Sequence, residues 1–305
     1  MIFRALICGL LLLLNFSSLD GAVKERPKRK TRYELSICAL INEDMRHLKE
    51  WIEYHRVIGA DHFYLYDTGK GDKSKDALKT YIKTGVVSLI RWNEYDAPKD
   101  EKDISIWSLS TQVPAYENAI HVRAASNTKW LICLDLNEYL VPQESDSILN
   151  VLQKYSDAPG ILIPSDCFNS SEGTSDLGSD LTIQHRELIS SPDENSLRAV
   201  KKIIFKPSLC LGFSWPPYEC LFKDDLSPTE LNRSELRVNR YVYEGKPYVE
   251  NLKKKLRVDN RALTDAELTA LLKQGYQIED QERAIDRFLP KLRDRLGIGL
   301  PWDKQ

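Results

Sequence analysis

No Cys-x-x-Cys pair and no zinc-type spacing of cysteine and histidine occurs in this sequence, which excludes a structural zinc module and a dithiol redox motif. Cysteine is sparse altogether, six in 305 residues, and Cys8 lies in the apolar amino terminus. The other five, Cys38, Cys133, Cys167, Cys210 and Cys220, are scattered and odd in number, so the chain is no disulfide scaffold. Cys38 and Cys133 sit in apolar runs, where a cysteine serves as a small hydrophobe. Cys210 and Cys220 form the one pair that this reading allows as a bridge. Excess charge of one sign is missing too: the net charge is -2, which provides no electrostatic footprint for nucleic acid. There is no internal repeat and no low-complexity segment.

A glycine-rich phosphate loop is also absent. Asn42-Glu43-Asp44 stands after the first strand-like run, so neither the dinucleotide fingerprint nor the P-loop is present. Any phosphate must then be held by a metal or by basic side chains.

Met1–Arg4 is a short basic start, Ala5–Leu14 an apolar run, and Ser17, Ser18, Gly21 and Ala22 are small residues near a cleavage point. This is the pattern of a secretory signal peptide over residues 1–22, the run being short of the about 20 residues of a membrane span. Asp20 fits the cleavage site poorly, so an uncleaved signal anchor is the alternative. Residues 23–32 are a basic linker, a solvated spacer or a segment able to lie against anionic headgroups. The expected location is the secretory pathway or export, with membrane association through the N-terminus if the signal is retained.

The chain is 42% hydrophobic, and the part beyond the linker is long enough for one large core. Leu35–Ile41 reads as a strand. His47–Val57 reads as a helix with Leu48, Trp51, Ile52 and His55 on one face and Gly59 as its stop. His62–Tyr66 is a second strand, ending at Asp67. A helix capped by Asp72 runs to Ile82 with Ala77, Leu78, Tyr81 and Ile82 inward, and Val86–Trp92 is a third strand. Tyr116–Ala125 and Ser145–Tyr155 are helical, on either side of a strand ending at Asp135. Strand and helix units in this order predict an α/β fold with a mostly parallel sheet flanked by helices. Beyond Gly160 the pattern is irregular, with strands expected at Leu181–Glu187, Val200–Lys206 and Val238–Tyr243. From Leu263 the tail reads as helical, opening on the Thr264–Glu267 capping box and closing with Ile285–Leu296.

The most informative segment is Lys129–Val141, an apolar run broken by Asp135, Asn137 and Glu138. Open α/β sheets bind ligands just outside the carboxyl ends of their strands. Carboxylates there suit a divalent cation that in turn holds phosphate oxygens. The bland alternative is an acidic loop that solubilises a strand end. His55, on an apolar helix face, reads as a satisfied core histidine and Trp51 as core.

Several segments together resemble a known family. Ser36-Ile-Cys-Ala-Leu-Ile-Asn-Glu43, Leu48-Lys-Glu-Trp-Ile-Glu-Tyr-His55 and Gly59-Ala-Asp-His-Phe-Tyr-Leu-Tyr-Asp67 look like the opening of glycosyltransferase family 92. Trp130–Tyr139 is similar to that family's Asp-x-Asp-Glu-Phe segment, and Lys201–Pro207 and Leu236–Tyr241 to its later Lys-x-Ile-x-x-Pro and Asn-His-Tyr segments. The resemblance implies a GT-A-like (Rossmann-like) fold over residues 33–258, in a single large domain with a helical C-terminal tail over 259–305. It implies transfer of a hexose, galactose favoured, from a nucleotide-sugar donor (a UDP-sugar favoured) to a glycan acceptor with inversion. By position, Asn42, Glu43 and Asp67 would line the nucleotide pocket, and Asp135 with Asn137 would hold Mn2+ or Mg2+ on the donor diphosphate. Inversion needs a carboxylate base, for which Asp166, Glu172 and Asp176 are the candidates. Two departures stand out: Asn137 where the family has its second Asp, and Arg240 where it has His. Arg cannot ligate a cation but can pair with a diphosphate directly. A transferase with weakened metal dependence and a degenerate nucleotide- or carbohydrate-binding protein both fit these departures.

Overall fold

Residues 33–41, Tyr-Glu-Leu-Ser-Ile-Cys-Ala-Leu-Ile, carry an unbroken buried run from Leu35 to Ala39, the signature of a strand covered on both faces. In the computed structural model, which describes residues 31–42, 47–92, 107–170, 181–184, 187–190, 201–213, 220–243, 257–258, 261–262 and 280–298, this strand (β1) lies inside the seven-stranded main sheet. It pairs in parallel with β2 (His62–Asp67) on one side and with β4 (Thr128–Cys133) on the other, and β3 (Val87–Arg91) adds in parallel beyond β2. The sheet continues past β4 through β9 (Lys202–Phe205), antiparallel to its neighbours, to β6 (Gly160–Ile163) and the two-residue β12 (Thr229–Glu230). Among its seven strands, β9 alone runs against the rest. The expected mostly parallel sheet is therefore present.

A second sheet stands where the sequence pattern becomes irregular. β5 (Glu138–Pro142) pairs antiparallel with β13 (Leu236–Tyr243), which pairs in parallel with β7 (Ser165–Ser170), and β8 (Glu187–Ser190) lies at its edge. Between β9 and β12 in sequence, β10 (Cys210–Phe213) and β11 (Cys220–Phe222) form a hairpin closed by a Cys210–Cys220 disulfide. The pairing left open by the spacing is thus made. β14 (Arg257–Val258) and β15 (Arg261–Ala262) form a short antiparallel pair.

Helix α1 (Leu48–Ile58) has Leu48, Trp51, Ile52 and His55 buried as its periodicity requires, and Gly59 ends it at φ 115°, a conformation that glycine adopts without a Cβ penalty. Burial extends further round the helix, to Glu50, Glu53 and Tyr54, because α1 has neighbours on several sides. Trp51 packs on Phe63 of β2, and Tyr54 packs edge-on against both Tyr139 of β5 and Phe288.

Four expectations need correction. The helix read over Asp72–Ile82 divides at Leu78 into α2 (Lys73–Ala77) and α3 (Lys79–Lys83), and Asp72 makes no side-chain cap. Its inward face is Ser74, Leu78 and Tyr81, while Ala77 and Ile82 point outward, so the buried stripe is narrower than the apolar one. Leu181–Gln184 is not a strand: the Glu50 carboxylate accepts the backbone N–H groups of Thr182 and Ile183, which bends this stretch into a single helical turn. Finally, Asp280–Phe288 forms a tighter 3-10 helix before α6 (Leu289–Leu296), with Pro290 accommodated in the first turn of α6 where no N–H partner is needed. The helix read over Tyr116–Ala125 is present and starts earlier, as a continuous run from Ser108. Its central segment, α4 (Val113–Asn118), has Pro114 in its first turn and is flanked by wide π-type turns. α5 (Ile148–Lys154) is capped by the Ser147 hydroxyl. The signal segment, the basic linker up to residue 30 and the Thr264–Glu267 capping box lie outside the described residues.

Candidate active site

The parallel register brings the carboxyl ends of four strands to one edge. Ile41 of β1 stands opposite Asp67 of β2, which stands opposite Arg91 of β3, and Cys38 stands opposite Cys133 of β4. Asn42, Asp67 and Asp135 therefore come to one edge of the sheet, the place where such folds bind ligands.

Asp67 is 3% exposed. Its carboxylate accepts the Gly69 N–H at 3.0 Å and a guanidinium N–H of Arg91 at 3.2 Å, and Arg91 also donates to the Gly71 carbonyl at 2.7 Å. The Thr68 N–H and hydroxyl both donate to the Ile41 carbonyl. The turn after β2 is thus built around Asp67. Asn42 is exposed at the end of β1, and Glu43 lies outside the described residues.

After β4 the chain makes a tight turn, Asp135-Leu-Asn-Glu138. The Glu138 N–H donates to the Asp135 carbonyl at 3.0 Å, and the Glu138 carboxylate reaches back to accept the Asp135 N–H at 2.9 Å. Glu138 is fully buried, and two cations meet on it. Lys202 of β9 lies 2.7 Å from Oε2, and Arg240 of β13 donates from Nε and Nη2 to Oε1 at 3.0 and 2.6 Å. Burial opposes the charge of Glu138, yet the Lys202 ammonium and the Arg240 guanidinium outweigh it and hold the pKa at about 2. For Lys202, burial likewise opposes the charge, and Glu138 together with Asp135 raises its pKa above the ordinary value. Asp135 itself is exposed, and the Asn137 carbonyl accepts the Tyr241 N–H at 2.8 Å.

Helix α1 fixes the strand that carries this turn. The Trp51 indole N–H donates to the Glu138 carbonyl and the Tyr54 hydroxyl to the Leu140 carbonyl, each at 2.8 Å. His55 Nδ1 lies 2.8 Å from the Trp51 carbonyl, which can only accept, so Nδ1 carries the proton and Nε2 accepts the Leu140 N–H at 3.3 Å. Burial pushes the His55 pKa down to about 3, with the Trp51 carbonyl opposing, so the ring is neutral near pH 7. The core-histidine reading of His55 holds, and the Glu-Trp-Ile-x-Tyr-His pattern acquires a physical meaning: three side chains that hold the backbone of β5.

Of the sequence-derived residues, Asp135, Asn137 and Arg240 come together at Glu138, with Asp67 at the same sheet edge. Asp166 does not join them. It pairs across the second sheet with Asn239, whereas Arg240 pairs with Glu138, so the alternation of the strand puts Asp166 on the opposite face. There it is 2% exposed and ion-paired with Arg233 at 2.6 Å and Arg237 at 3.4 Å. Burial raises its pKa despite the two arginines. Glu172 and Asp176 lie outside the described residues.

Sequence reasoning missed Lys202 and read Glu138 only as one of the carboxylates suited to a cation. The available signal was a lysine at the head of the strand-like run Ile203–Phe205, since a lysine in a buried strand requires a partner. As a cation site, the described donors are a poor set. Asp135 is one exposed carboxylate, Asn137 contributes an uncharged amide, and Glu138 is occupied by Lys202, Arg240 and the Asp135 N–H. Among the described residues no group of three acidic, histidine or cysteine side chains is arranged to hold a metal.

Compared with known proteins, residues 33–271 match the family model of glycosyltransferase family 92. The chain belongs to glycosyltransferase family 92. Among its relatives are family 92 proteins of Oryza sativa subsp. japonica, 23% identical over 133 residues, and of Arabidopsis thaliana, 22% identical over 121. These matches cover 44% and 39% of this chain but only 20% and 18% of the relatives, so this family 92 chain matches about a fifth of their length. A solved structure of S. aureus TarS in complex with UDP-GlcNAc is similar over 86% of this chain and 72% of that one, at 10% identity and a TM-score of 0.39. Family membership and the sheet described above, parallel but for β9, make the fold GT-A-like.

Proposed function

We propose that this family 92 site transfers a hexose, galactose first, from a nucleotide sugar, a UDP-sugar first, to a hydroxyl of a glycan acceptor with inversion. The observation that carries the reading is the meeting of Asp67 and the Asp135–Glu138 turn at one carboxyl edge of the sheet in a chain of this family. In such a transfer the bond from the anomeric carbon to the diphosphate oxygen breaks and its electron pair leaves with the nucleoside diphosphate. The acceptor oxygen bonds the anomeric carbon from the opposite face and gives up its proton to a carboxylate base. Asp67, whose oxygens keep acceptor capacity beyond the Gly69 and Arg91 contacts, would accept from the base or ribose, with Asn42 and Glu43 beside it. The partners of Asp166 favour Glu172 and Asp176 over it as the base.

The amino-terminal signal and the Cys210–Cys220 bridge support a secretory or exported location, because disulfides persist in oxidising compartments. A retained signal would add a membrane anchor. Release of free nucleoside diphosphate by the full chain from a panel of UDP- and GDP-sugars tests the reading, with turnover of one donor expected. A second reading, binding without turnover, draws on the departures at Asn137 and Arg240. Silence across the panel together with thermal stabilisation by UDP would favour it.

A further inference from the structure

The four ionisable groups gathered at the acidic turn have a charge balance that suggests how a diphosphate is met. Glu138 is shared by Lys202 and Arg240, so these three groups sum to one positive charge, and Asp135 beside them brings the cluster to neutrality. Neither cation is adventitious. Lys202 is 8% exposed and enters from the one reversed strand of the main sheet, whereas Arg240 enters from the second sheet. Two separate parts of the fold each deliver a cation to a single buried carboxylate. That carboxylate is in turn tied to the Asp135 N–H and, through its backbone carbonyl, to Trp51. The positions of both charges are therefore set before any ligand arrives, and preorganised charge needs no rearrangement during reaction.

A divalent cation would meet the opposite situation. Among the described residues of the turn it would find one exposed carboxylate, Asp135, with an amide at position 137. The one net positive charge of the Lys202–Glu138–Arg240 network would offset the attraction of Asp135 for it, and Glu138 could turn to it only by abandoning a buried ammonium and a guanidinium. Leaving a buried charge unpaired in that way is strongly unfavourable.

We propose that in this chain the Lys202–Glu138–Arg240 network supplies the positive charge that holds and stabilises the nucleoside diphosphate, so that donor binding and sugar transfer need no divalent cation. The inference rests on the transferase reading above. Arg240, 31% exposed, touches the diphosphate; Lys202 acts through Glu138 as a positioning residue and as a fixed charge behind it. The electron pair released when the anomeric carbon–oxygen bond breaks passes to the diphosphate, whose added charge faces these two cations.

Titration calorimetry of the full chain with UDP, in excess EDTA and in Mn2+, separates the possibilities. The expected result is UDP binding in EDTA within about threefold of that in Mn2+. Arg240→Gln should weaken it by about 10- to 100-fold, as loss of a charge-assisted hydrogen bond does, while Arg240→Lys stays within about tenfold of the parent. Binding that appears in Mn2+ and vanishes in EDTA would overturn the proposal while leaving the transferase reading intact. No UDP binding in either condition would overturn both. The comparison of EDTA with Mn2+ uses the unmodified protein, so the proposal is decided even if a variant fails to fold.

Discussion

At the residue scale, two buried histidines, His55 and His62, and Glu138 make the protein sensitive to acid. The His55 and His62 pKa values are lowered by burial to about 3 and about 4, against 6.5 for the free side chain. Both are therefore neutral in the folded protein and charged in the unfolded chain between those values and about 6.5. The unfolded state binds more protons in that window, so stability is full above pH 6.5 and falls as the pH drops through it. Glu138, held at about 2, adds a second loss as the pH falls below 4.5. Urea midpoints measured from pH 7.5 to pH 5 should decline steadily, and His55→Gln should flatten the slope while lowering stability at pH 7.5. A slope unchanged by the substitution would mean that His55 is protonated in the folded state. These shifts were invisible in the chain, because a histidine on an apolar helix face shows burial but not which nitrogen carries the proton.

At the element scale, α1 and β5 behave as one unit. Trp51, Tyr54 and His55 bond the backbone of β5 at Glu138 and Leu140, and so set where the acidic turn stands relative to β1 and β2. Trp51→Phe keeps most of the ring and removes the N–H that reaches the Glu138 carbonyl. Its stability cost should be about 1 kcal/mol, the net worth of one hydrogen bond. UDP affinity should fall by more than that cost implies, roughly tenfold, if 1.4 kcal/mol or more is lost from the turn's alignment. Calorimetry beside a urea titration checks this, and equal losses in both would reduce Trp51 to packing alone. The helix and its buried stripe were legible from the 3.6-residue spacing of Leu48, Trp51, Ile52 and His55. Their partners on β5 lie about ninety positions on, and no local pattern encodes a contact at that separation. The turn at Thr182 escaped for the same reason. Glu50, far off in sequence, accepts the N–H groups that bend residues 181–184.

For the molecule as a whole, the C-terminal piece belongs to the core. Phe288 and Leu292 are buried, Phe288 lies against Tyr54, and Arg295 pairs with Glu53 of α1 at 3.0 Å. Arg287 donates to the carbonyls of Pro142, Gln143 and Ser145 just after β5. A chain ending before Asp280 should lose cooperative unfolding, since it exposes the outer face of α1 and leaves three carbonyls without their donor. Losing Phe288 alone is worth about 3–5 kcal/mol, a large part of the stability of a typical domain. Thermal unfolding of the truncated protein followed by near-UV circular dichroism tests this, and a sharp transition within a few degrees of the parent would contradict it.

Sequence alone was enough for the class of fold, the order of the main-sheet strands β1 to β4 with helices between them, the family, and the positions of Asp67 and Asp135 at strand ends. Those features depend on short-range patterns: apolar periodicity, glycine stops and acidic breaks after buried runs. The second sheet, the reversal of β9, the convergence of Lys202 and Arg240 on Glu138, and the separation of Asp166 from that cluster emerged only from the folded chain. Each depends on strand pairing between segments tens of residues apart. Pairing also decides the face on which a side chain falls, so one step along β13 sends Arg240 to Glu138 and its neighbour Asn239 to the side of Asp166.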